Sequence, residues 1–216
     1  MFITLEGIDG CGKSTQLDRL RGRIEDAQRD VVVTHDPGGT PTGDALRRLL
    51  LDSDLTMHRR TEAMLFMAAR GEMVERVIRP ALARGSVVLS DRYLLSNIAY
   101  QSVAGGIDGE IDGGNEGGNA GGVSAAEILK HGRWAAGGVV PDLTVLLDIP
   151  VRVSLDRRRG QADDRMERRG EDYLDAVRVA YRDHVGDAAG RSVVIDADAP
   201  TEWVADRVWE EVRGRV

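Results

Sequence analysis

The chain has 216 residues, of which 42% are hydrophobic and 30% are charged, with a formal net charge of -7 and a single cysteine. This composition is typical of one globular domain over residues 1–216; it argues against nonspecific nucleic-acid binding and excludes an internal disulfide or a cysteine-based zinc site. No apolar run is long enough to span a bilayer and no secretory signal precedes the first strand, so we expect no membrane partner and a cytoplasmic location.

Strand-like and helix-like patterns alternate along the chain, which is typical of a parallel sheet covered by helices on both faces. The predicted strands are Phe2–Leu5, Val31–Thr34, Val87–Ser90, Leu143–Asp148 and Val193–Asp196. The predicted helices are Ser14–Gln28, Thr42–Leu51, a long one within Arg60–Arg84, Leu94–Val103, Ala125–Ala136, Val151–Arg158, Glu171–Ala188 and Thr201–Val212. We therefore expect an α/β fold with a five-stranded parallel sheet.

A phosphate-binding pattern lies between the first strand and the first helix, where Gly7 is followed after four residues by Gly12, Lys13 and Ser14. In such a loop the backbone N–H groups point into one concavity, the lysine reaches the terminal phosphates and the hydroxyl ligates Mg²⁺. The alternative is a Gly-rich turn that only precedes a helix. Lysine occurs at just two positions, Lys13 and Lys130, among 29 basic residues, and its use here favours the phosphate role.

Residues 105–122 interrupt the alternation, because nine of these eighteen residues are glycine. Such a stretch buries little surface and is costly to order, so we predict a flexible surface loop. A calcium-binding repeat is the alternative, but the spacing of its acidic residues matches no known metal loop.

A phosphate-binding loop alone does not separate a GTPase, a motor ATPase, a small-molecule kinase and a passive nucleotide sensor. No Asn-Lys-x-Asp segment is present to read guanine. Asp91 and Arg92 follow the third predicted strand, at the sheet edge where doubly wound folds bind ligands. A carboxylate there can reach the hydration shell of a magnesium ion.

Several ordered motifs across nearly the whole chain resemble the thymidylate kinase family. They are EGIDGCGKST, DPGGTPTGDALRRLLL, LFMAARGEMVERVIRPALARGSVVLSDRYLLSNIAYQ, PDLTVLLDIP and DRMER. The resemblance implies a P-loop NTPase fold with an arginine-bearing lid near Arg157–Arg169. It also implies phosphorylation of dTMP by ATP with Mg²⁺, and a homodimer packed through long helices.

The resemblance assigns residues to three groups of roles. Catalysis would involve Lys13, Asp91, Arg92 and Arg159, and Mg²⁺ would be held by Ser14 and Asp91. ATP would contact Gly7, Ile8, Asp9, Gly10, Cys11, Gly12, Lys13, Ser14 and Thr15. The nucleotide dTMP would contact Asp9, Phe66, Arg70, Arg92, Asn97, Tyr100 and Gln101.

Individual roles within the acceptor site follow from the same resemblance. Phe66 would stack on thymine and Arg70 would bond its carbonyl, although the helical spacing alone favours a core phenylalanine beside a solvated arginine. Arg92 would clamp the acceptor phosphate. Tyr100 would crowd the 2′ position, and Asp9 would hold the 3′-hydroxyl unless it only balances a helix dipole.

Two departures from the family pattern leave questions open. His35 stands where the family usually has arginine, which puts a second phosphate clamp in doubt, and segment 105–122 replaces a shorter connection. Arg159, before Gly160, is the first choice for the lid arginine, and Arg157 is the second. The rival interpretations are another nucleoside monophosphate or deoxynucleoside kinase, and a nucleotide-binding regulatory module with a weakened acceptor site.

Overall fold

The computed structural model describes residues 1–52, 55–103, 123–160 and 165–216. The predicted Gly-rich loop at 105–122 lies outside these residues, as do positions 161–164 of the predicted lid. The single-domain organisation of the full chain and the behaviour of the Gly-rich loop stay predictions.

Five parallel strands form one sheet in the order β2-β3-β1-β4-β5. Their bounds are β1 Phe2–Glu6, β2 Val31–His35, β3 Val87–Asp91, β4 Leu143–Asp148 and β5 Ser192–Asp196. Each observed strand agrees with its predicted range to within one residue at either end. Helices cover both faces, so the expected five-stranded α/β fold is confirmed.

Nine α-helices lie within the described residues: α1 Lys13–Asp26, α2 Pro41–Arg47, α3 Arg59–Met73, α4 Arg79–Ala83, α5 Leu94–Ser102, α6 Ala125–Ala135, α7 Val151–Arg157, α8 Glu171–His184 and α9 Thr201–Val212. Two π-helical turns, Arg48–Asp52 and Val74–Ile78, follow α2 and α3, and a short 3₁₀ turn spans Glu167–Arg169. The long helix predicted within Arg60–Arg84 is thus three segments.

Helix ends follow local chemistry. The side chain of Ser124 accepts a hydrogen bond from the backbone N–H of Glu127, whose carboxylate accepts one from the backbone N–H of Ser124, and this capping box starts α6. The side chain of Thr40 caps α2, and Pro41 occupies its first turn. Helix α8 ends at His184, earlier than predicted, two residues before Gly186, which is a poor helix former.

The central strand β1 is completely buried, and its apolar residues Phe2, Ile3 and Leu5 belong to the core. Leu5 lies level with Asp91 of β3, so both strands end at the same edge of the sheet. The backbone N–H of Arg92 donates to the carbonyl of Leu5 at 2.9 Å. The phosphate-binding loop after β1 and the residues after β3 are thereby brought together.

Among the described helices, none combines the length and the apolar character needed to cross a membrane.

Candidate active site

The loop between β1 and α1 needs glycine at two of its positions. Gly7 has φ +137°, and a Cβ there would lie 2.5 Å from the carbonyl oxygen of Leu147. Gly12 has φ +95°, a conformation that side chains rarely adopt. These glycines let the backbone curve closely around the side chain that follows, Lys13.

Lys13 lies within the curve of this loop and is only 6% exposed. Its Nζ donates to the carbonyls of Gly7 at 3.0 Å and Ile8 at 3.2 Å, and lies 3.5 Å from Oδ1 of Asp9. The ammonium is therefore held at the loop by oxygen atoms that a phosphate group could replace as partners.

Ser14 and Asp91 meet beside the loop, where the Ser14 hydroxyl donates to Oδ2 of Asp91 at 3.4 Å. The other carboxylate oxygen of Asp91, Oδ1, is buried and has no hydrogen-bond partner in the described part of the chain. Hydroxyl and carboxylate oxygens are the ligands that Mg²⁺ prefers. The pair therefore fits a magnesium ion that would take its other ligands from water and phosphate groups. No cluster of three or more His, Cys, Asp or Glu able to hold a metal occurs among the described residues.

A first pocket, which we call the loop pocket, opens over the phosphate-binding loop. It is lined by Asp9, Gly10, Cys11, Gly12, Lys13, Ser14, Thr15, Gln16, Arg157, Arg158, Ala197, Ala199, Thr201 and Val204. Gly7 and Ile8 face Lys13 through their carbonyls and are not part of this lining. The predicted loop contacts otherwise lie together around one cavity.

Three consecutive arginines at the end of α7 are placed differently. Arg157 donates to the carbonyl of Ala197 at 3.1 Å and to that of Gly10 at 3.4 Å, and with Arg158 it lines the loop pocket. The side chain of Arg159 is 82% exposed, pairs with Asp156 at 2.9 Å, and does not contribute to this lining. The role of Arg159 as lid arginine stays a prediction.

A second pocket, which we call the aromatic pocket, lies on the other side of Asp9. Its lining is Asp9, Asp36, Pro37, Arg47, Leu51, Phe66, Arg70, Arg92, Tyr93, Ser96, Asn97, Tyr100, Gln101 and Met166. All seven residues predicted to contact dTMP are among them.

Arg92 lines the aromatic pocket and has a left-handed backbone conformation with φ +69°. Its Nη2 contacts Oδ1 of Asp9 at 2.7 Å, and its Nη1 donates to the Tyr181 hydroxyl at 2.7 Å and the Gly7 carbonyl at 3.0 Å. The guanidinium carbon also lies 5.2 Å from the centre of the Tyr100 ring. Strained backbone of this kind is common at functional sites, and it directs Arg92 toward the loop.

The charge of Asp9 is set by these neighbours. Burial opposes its ionisation, but the positive charges of Arg92 and Lys13 outweigh that effect and hold the pKa of Asp9 below its usual range. Burial raises the pKa of the Cys11 thiol, so the thiol is protonated near neutral pH and is not a reactive thiolate.

One side of the aromatic pocket is built around Arg70, whose side chain is 1% exposed. Its Nε donates to Asp36 at 2.6 Å and its Nη1 to the Asn97 carbonyl at 3.1 Å. The expectation of a solvated arginine beside a core phenylalanine is therefore wrong for Arg70, because a buried guanidinium requires such partners. Phe66, one turn earlier on α3, lines the same pocket.

Seven residues that line the aromatic pocket were not predicted to contact dTMP: Asp36, Pro37, Arg47, Leu51, Tyr93, Ser96 and Met166. Arg47 lies at the end of α2, and its Nη1 donates to the Pro37 carbonyl at 3.0 Å. His35 is half-exposed beside Asp44 and does not line this pocket. Arg47 lies within the motif DPGGTPTGDALRRLLL and Met166 within DRMER, but neither motif by itself indicates which of its side chains face the pocket.

Comparison with known proteins gives a consistent result. The family model described as Thymidylate kinase matches residues 5–113. A protein named Thymidylate kinase from Rhodopirellula baltica is 50% identical over 207 residues, covering 96% of this chain and 78% of the relative. Proteins of the same name from Clavibacter michiganensis and Desulforudis audaxviator are 43% and 39% identical, covering 95% and 99% of this chain and 90% of each relative.

Proposed function

Because this chain belongs to the thymidylate kinase family, we propose that it transfers the γ-phosphate of ATP to dTMP, giving ADP and dTDP. The observation that carries the proposal is the meeting of two pockets at Asp9, one over the phosphate-binding loop and one lined by Phe66, Arg70 and Arg92. A kinase needs this arrangement, since donor and acceptor phosphates must approach in line.

On the donor side, ATP would occupy the loop pocket with its phosphates over the N-terminus of α1. Lys13 would exchange its carbonyl partners for terminal phosphate oxygens. Ser14 and Asp91 would hold Mg²⁺, which would supply charge neutralisation at the phosphate groups. The unpartnered Oδ1 of Asp91 supports this assignment.

On the acceptor side, dTMP would occupy the aromatic pocket. Phe66 would stack on the thymine ring, and Arg70 with Asn97 and Gln101 would contact its polar edge. Tyr100 would fill the space next to the 2′ carbon, and Asp9 would accept a hydrogen bond from the 3′-hydroxyl.

Arg92 would clamp the acceptor phosphate and direct it toward the loop pocket. Arg47 supplies a second cation on the same pocket, and we propose that it does the work that His35 cannot do from its place outside the lining. A dTMP phosphate oxygen is already ionised near neutral pH, so the attack requires positioning and charge neutralisation and no general base. Arg159, with Arg157 as second choice, would complete that neutralisation over the donor phosphates.

A homodimer is also part of the proposal. Met64 on α3 and Trp134 on α6 are 55% and 82% exposed and lie on one surface with Ala63, Met67 and Val123. Exposed apolar surface of this kind commonly marks an interface. A cytoplasmic location suits an enzyme that uses ATP and a free nucleotide, and it stays a prediction.

The proposal is tested by coupled ADP release with dTMP, dUMP, dGMP and thymidine as acceptors. We expect dTMP to support the highest kcat/KM and Lys13→Ala to abolish turnover while leaving the thermal unfolding midpoint nearly unchanged. Preference for another acceptor would identify a different kinase, and ATP binding without dTMP-dependent ADP formation would identify a regulatory module.

A further inference from the structure

A fully buried carboxylate, Glu62 on α3, lies behind the aromatic pocket and does not line it. Its Oε1 accepts a hydrogen bond from Nε2 of Gln101 at 2.9 Å. Its Oε2 pairs with Nη2 of Arg169 at 2.8 Å and also with Nη2 of Arg165. Burying a carboxylate is costly unless it is paired, so these contacts account for how Glu62 is tolerated but not for why it is there.

Glu62 determines which way the amide of Gln101 points. An ionised carboxylate can only accept hydrogen bonds, so Gln101 must present its NH₂ group to Glu62 and its carbonyl to the other side. That carbonyl accepts from Nδ2 of Asn97 at 2.9 Å. The orientation of Asn97 is therefore set in turn.

Arg70 fixes the other end of this row. The Asn97 carbonyl accepts from Nη1 of Arg70 at 3.1 Å, and Nε of Arg70 donates to Asp36 at 2.6 Å. A flipped Asn97 would direct its NH₂ group at a guanidinium, donor against donor, which is repulsive. One carboxylate and one guanidinium thus hold two amides, each of which could otherwise rotate by half a turn.

We propose that Glu62 is a positioning residue that fixes the amide orientation of Gln101 and Asn97 and thereby sets the preference of the aromatic pocket for thymine over cytosine. The inference rests on the proposed function, because it assigns the base to this pocket. Thymine presents a carbonyl at C4 where cytosine presents an amino group, so the two bases need opposite hydrogen-bond partners. The amides of Gln101 and Asn97, when held in one orientation, match the hydrogen-bonding pattern of only one of the two bases.

The test compares kcat/KM for dTMP and dCMP in Glu62→Gln and in Glu62→Asp. A glutamine at 62 can donate as well as accept, so one of the two ends that hold the row no longer fixes the orientation of its amides. We expect the dTMP/dCMP ratio to fall about 10- to 100-fold, the cost of one unpaired buried polar group. The fall should come through KM for dTMP, with kcat within about threefold of wild type, because Lys13 and Arg92 are untouched. Glu62→Asp, which keeps the carboxylate, should retain most of the ratio.

Arg169→Met is the matched control for a merely structural role, since it cuts an ion pair of Glu62 and leaves the carboxylate facing Gln101. The swapped variant Glu62→Gln with Gln101→Glu restores an acceptor toward Asn97, so it should recover the ratio lost in Glu62→Gln. Equal losses in Arg169→Met and Glu62→Gln, or no recovery in the swap, would overturn the proposal.

Should Glu62→Gln fail to fold, Gln101→Met serves in its place, because Glu62 then keeps both arginines while its link to Asn97 and the contact of Gln101 with the base are both removed. A retained dTMP/dCMP ratio in that variant would likewise overturn the proposal. Failure of the proposed function is a separate result, recognised by the absence of dTMP-dependent ADP release in the unsubstituted chain.

Discussion

Arg92 and Asp9 form an ion pair between the two pockets, with 2.7 Å between Nη2 and Oδ1 and an Arg92 side chain that is 15% exposed. The two residues follow neighbouring parallel strands, β3 and β1, and their pairing depends on the level ends of those strands. The pair lies where a transferring phosphate group would pass, since Asp9 lines both pockets.

Substituting Arg92 by lysine should therefore reduce activity although the charge is kept. One ammonium cannot reach Asp9, the Gly7 carbonyl and the Tyr181 hydroxyl together, as the guanidinium does. We expect kcat/KM for dTMP to fall about 100-fold, since each charge-assisted hydrogen bond contributes about 1.5 to 3 kcal/mol. Steady-state kinetics measure the loss, with Arg19→Lys on the surface of α1 as control. Activity of Arg92→Lys within threefold of wild type would contradict the proposed role of Arg92 in holding the acceptor phosphate.

Tyr100 provides a second test, because its ring is held between two others. Its centre lies 6.0 Å from that of Tyr181 and 6.4 Å from that of Tyr173, so the ring cannot move aside for a larger sugar. Tyr100→Ala should improve the use of ribothymidine monophosphate relative to dTMP by about tenfold or more, since steric exclusion is lost.

Tyr100→Phe is the matched control for this prediction. It keeps the ring and removes the hydroxyl, which lies 3.4 Å from Asp9. The deoxyribose preference should survive in Tyr100→Phe. An equal loss of preference in both variants would assign the discrimination to the hydroxyl instead.

The fold was largely predictable because local sequence determines its elements. The strands are short apolar runs bounded by turns, and the phosphate-binding loop has a spacing that few other structures share. The interruptions of the helices were harder to predict from the sequence. The π turn at Val74–Ile78 continues the apolar periodicity of α3, so the sequence pattern there does not differ from that of one long helix.

The site was predictable only where its residues lie in sequence motifs. Met166 reaches the aromatic pocket from a position 65 residues beyond Gln101, and Glu62 meets Arg165 and Arg169 across 103 and 107 residues. Such meetings depend on tertiary packing, which local patterns do not encode. The directions of the Arg157, Arg158 and Arg159 side chains are equally hard to predict from sequence, because they depend on the residue at which α7 ends.

That helix end motivates a third test, on which arginine meets the donor phosphates. Arg159 is the first choice from the family resemblance, yet Arg157 lines the loop pocket and Arg159 is 82% exposed in this structure. If Arg159 folds over the phosphates in the transition state, Arg159→Ala should lower kcat about 10³-fold or more with little change in KM for dTMP. The same measurement on Arg157→Ala and Arg168→Ala ranks the candidates. A kcat for Arg159→Ala within a few-fold of wild type, beside a large loss in Arg157→Ala, would transfer the role to Arg157.

The homodimer predicts a fourth result. Trp134→Glu places a charge at the most exposed tryptophan of the surface formed by α3 and α6, where partner contact would bury it. We expect sedimentation velocity to show a dimer for the wild type and mainly a monomer for Trp134→Glu, because burying an unpaired charge is costly. Trp203→Glu, at a 47% exposed residue of α9 away from that surface, is the control and should remain dimeric. A monomeric wild type would refute the interface.

The last prediction concerns Glu6, a completely buried carboxyl at the end of β1. It accepts hydrogen bonds from the Tyr93 backbone at 2.7 Å and from the Ser96 hydroxyl, but burial outweighs these contacts and raises the pKa of Glu6 from 4.5 to about 7. Between these pH values the folded chain binds a proton that the unfolded chain has released, so the free energy of unfolding declines as pH rises. The decline amounts to roughly 3 kcal/mol from this one group.

Urea unfolding of the wild type and of Glu6→Gln at pH 5 and pH 8 isolates this contribution, because every other titrating group is common to both chains. Glutamine cannot ionise, and it loses one of the two acceptors, which shifts its stability by an amount that does not depend on pH. We therefore expect the wild type to lose roughly 3 kcal/mol more than Glu6→Gln between the two conditions. Parallel changes in both proteins would show that Glu6 titrates near its ordinary value, and that the contacts from Tyr93 and Ser96, together with the nearby charge of Arg92, offset the cost of its burial.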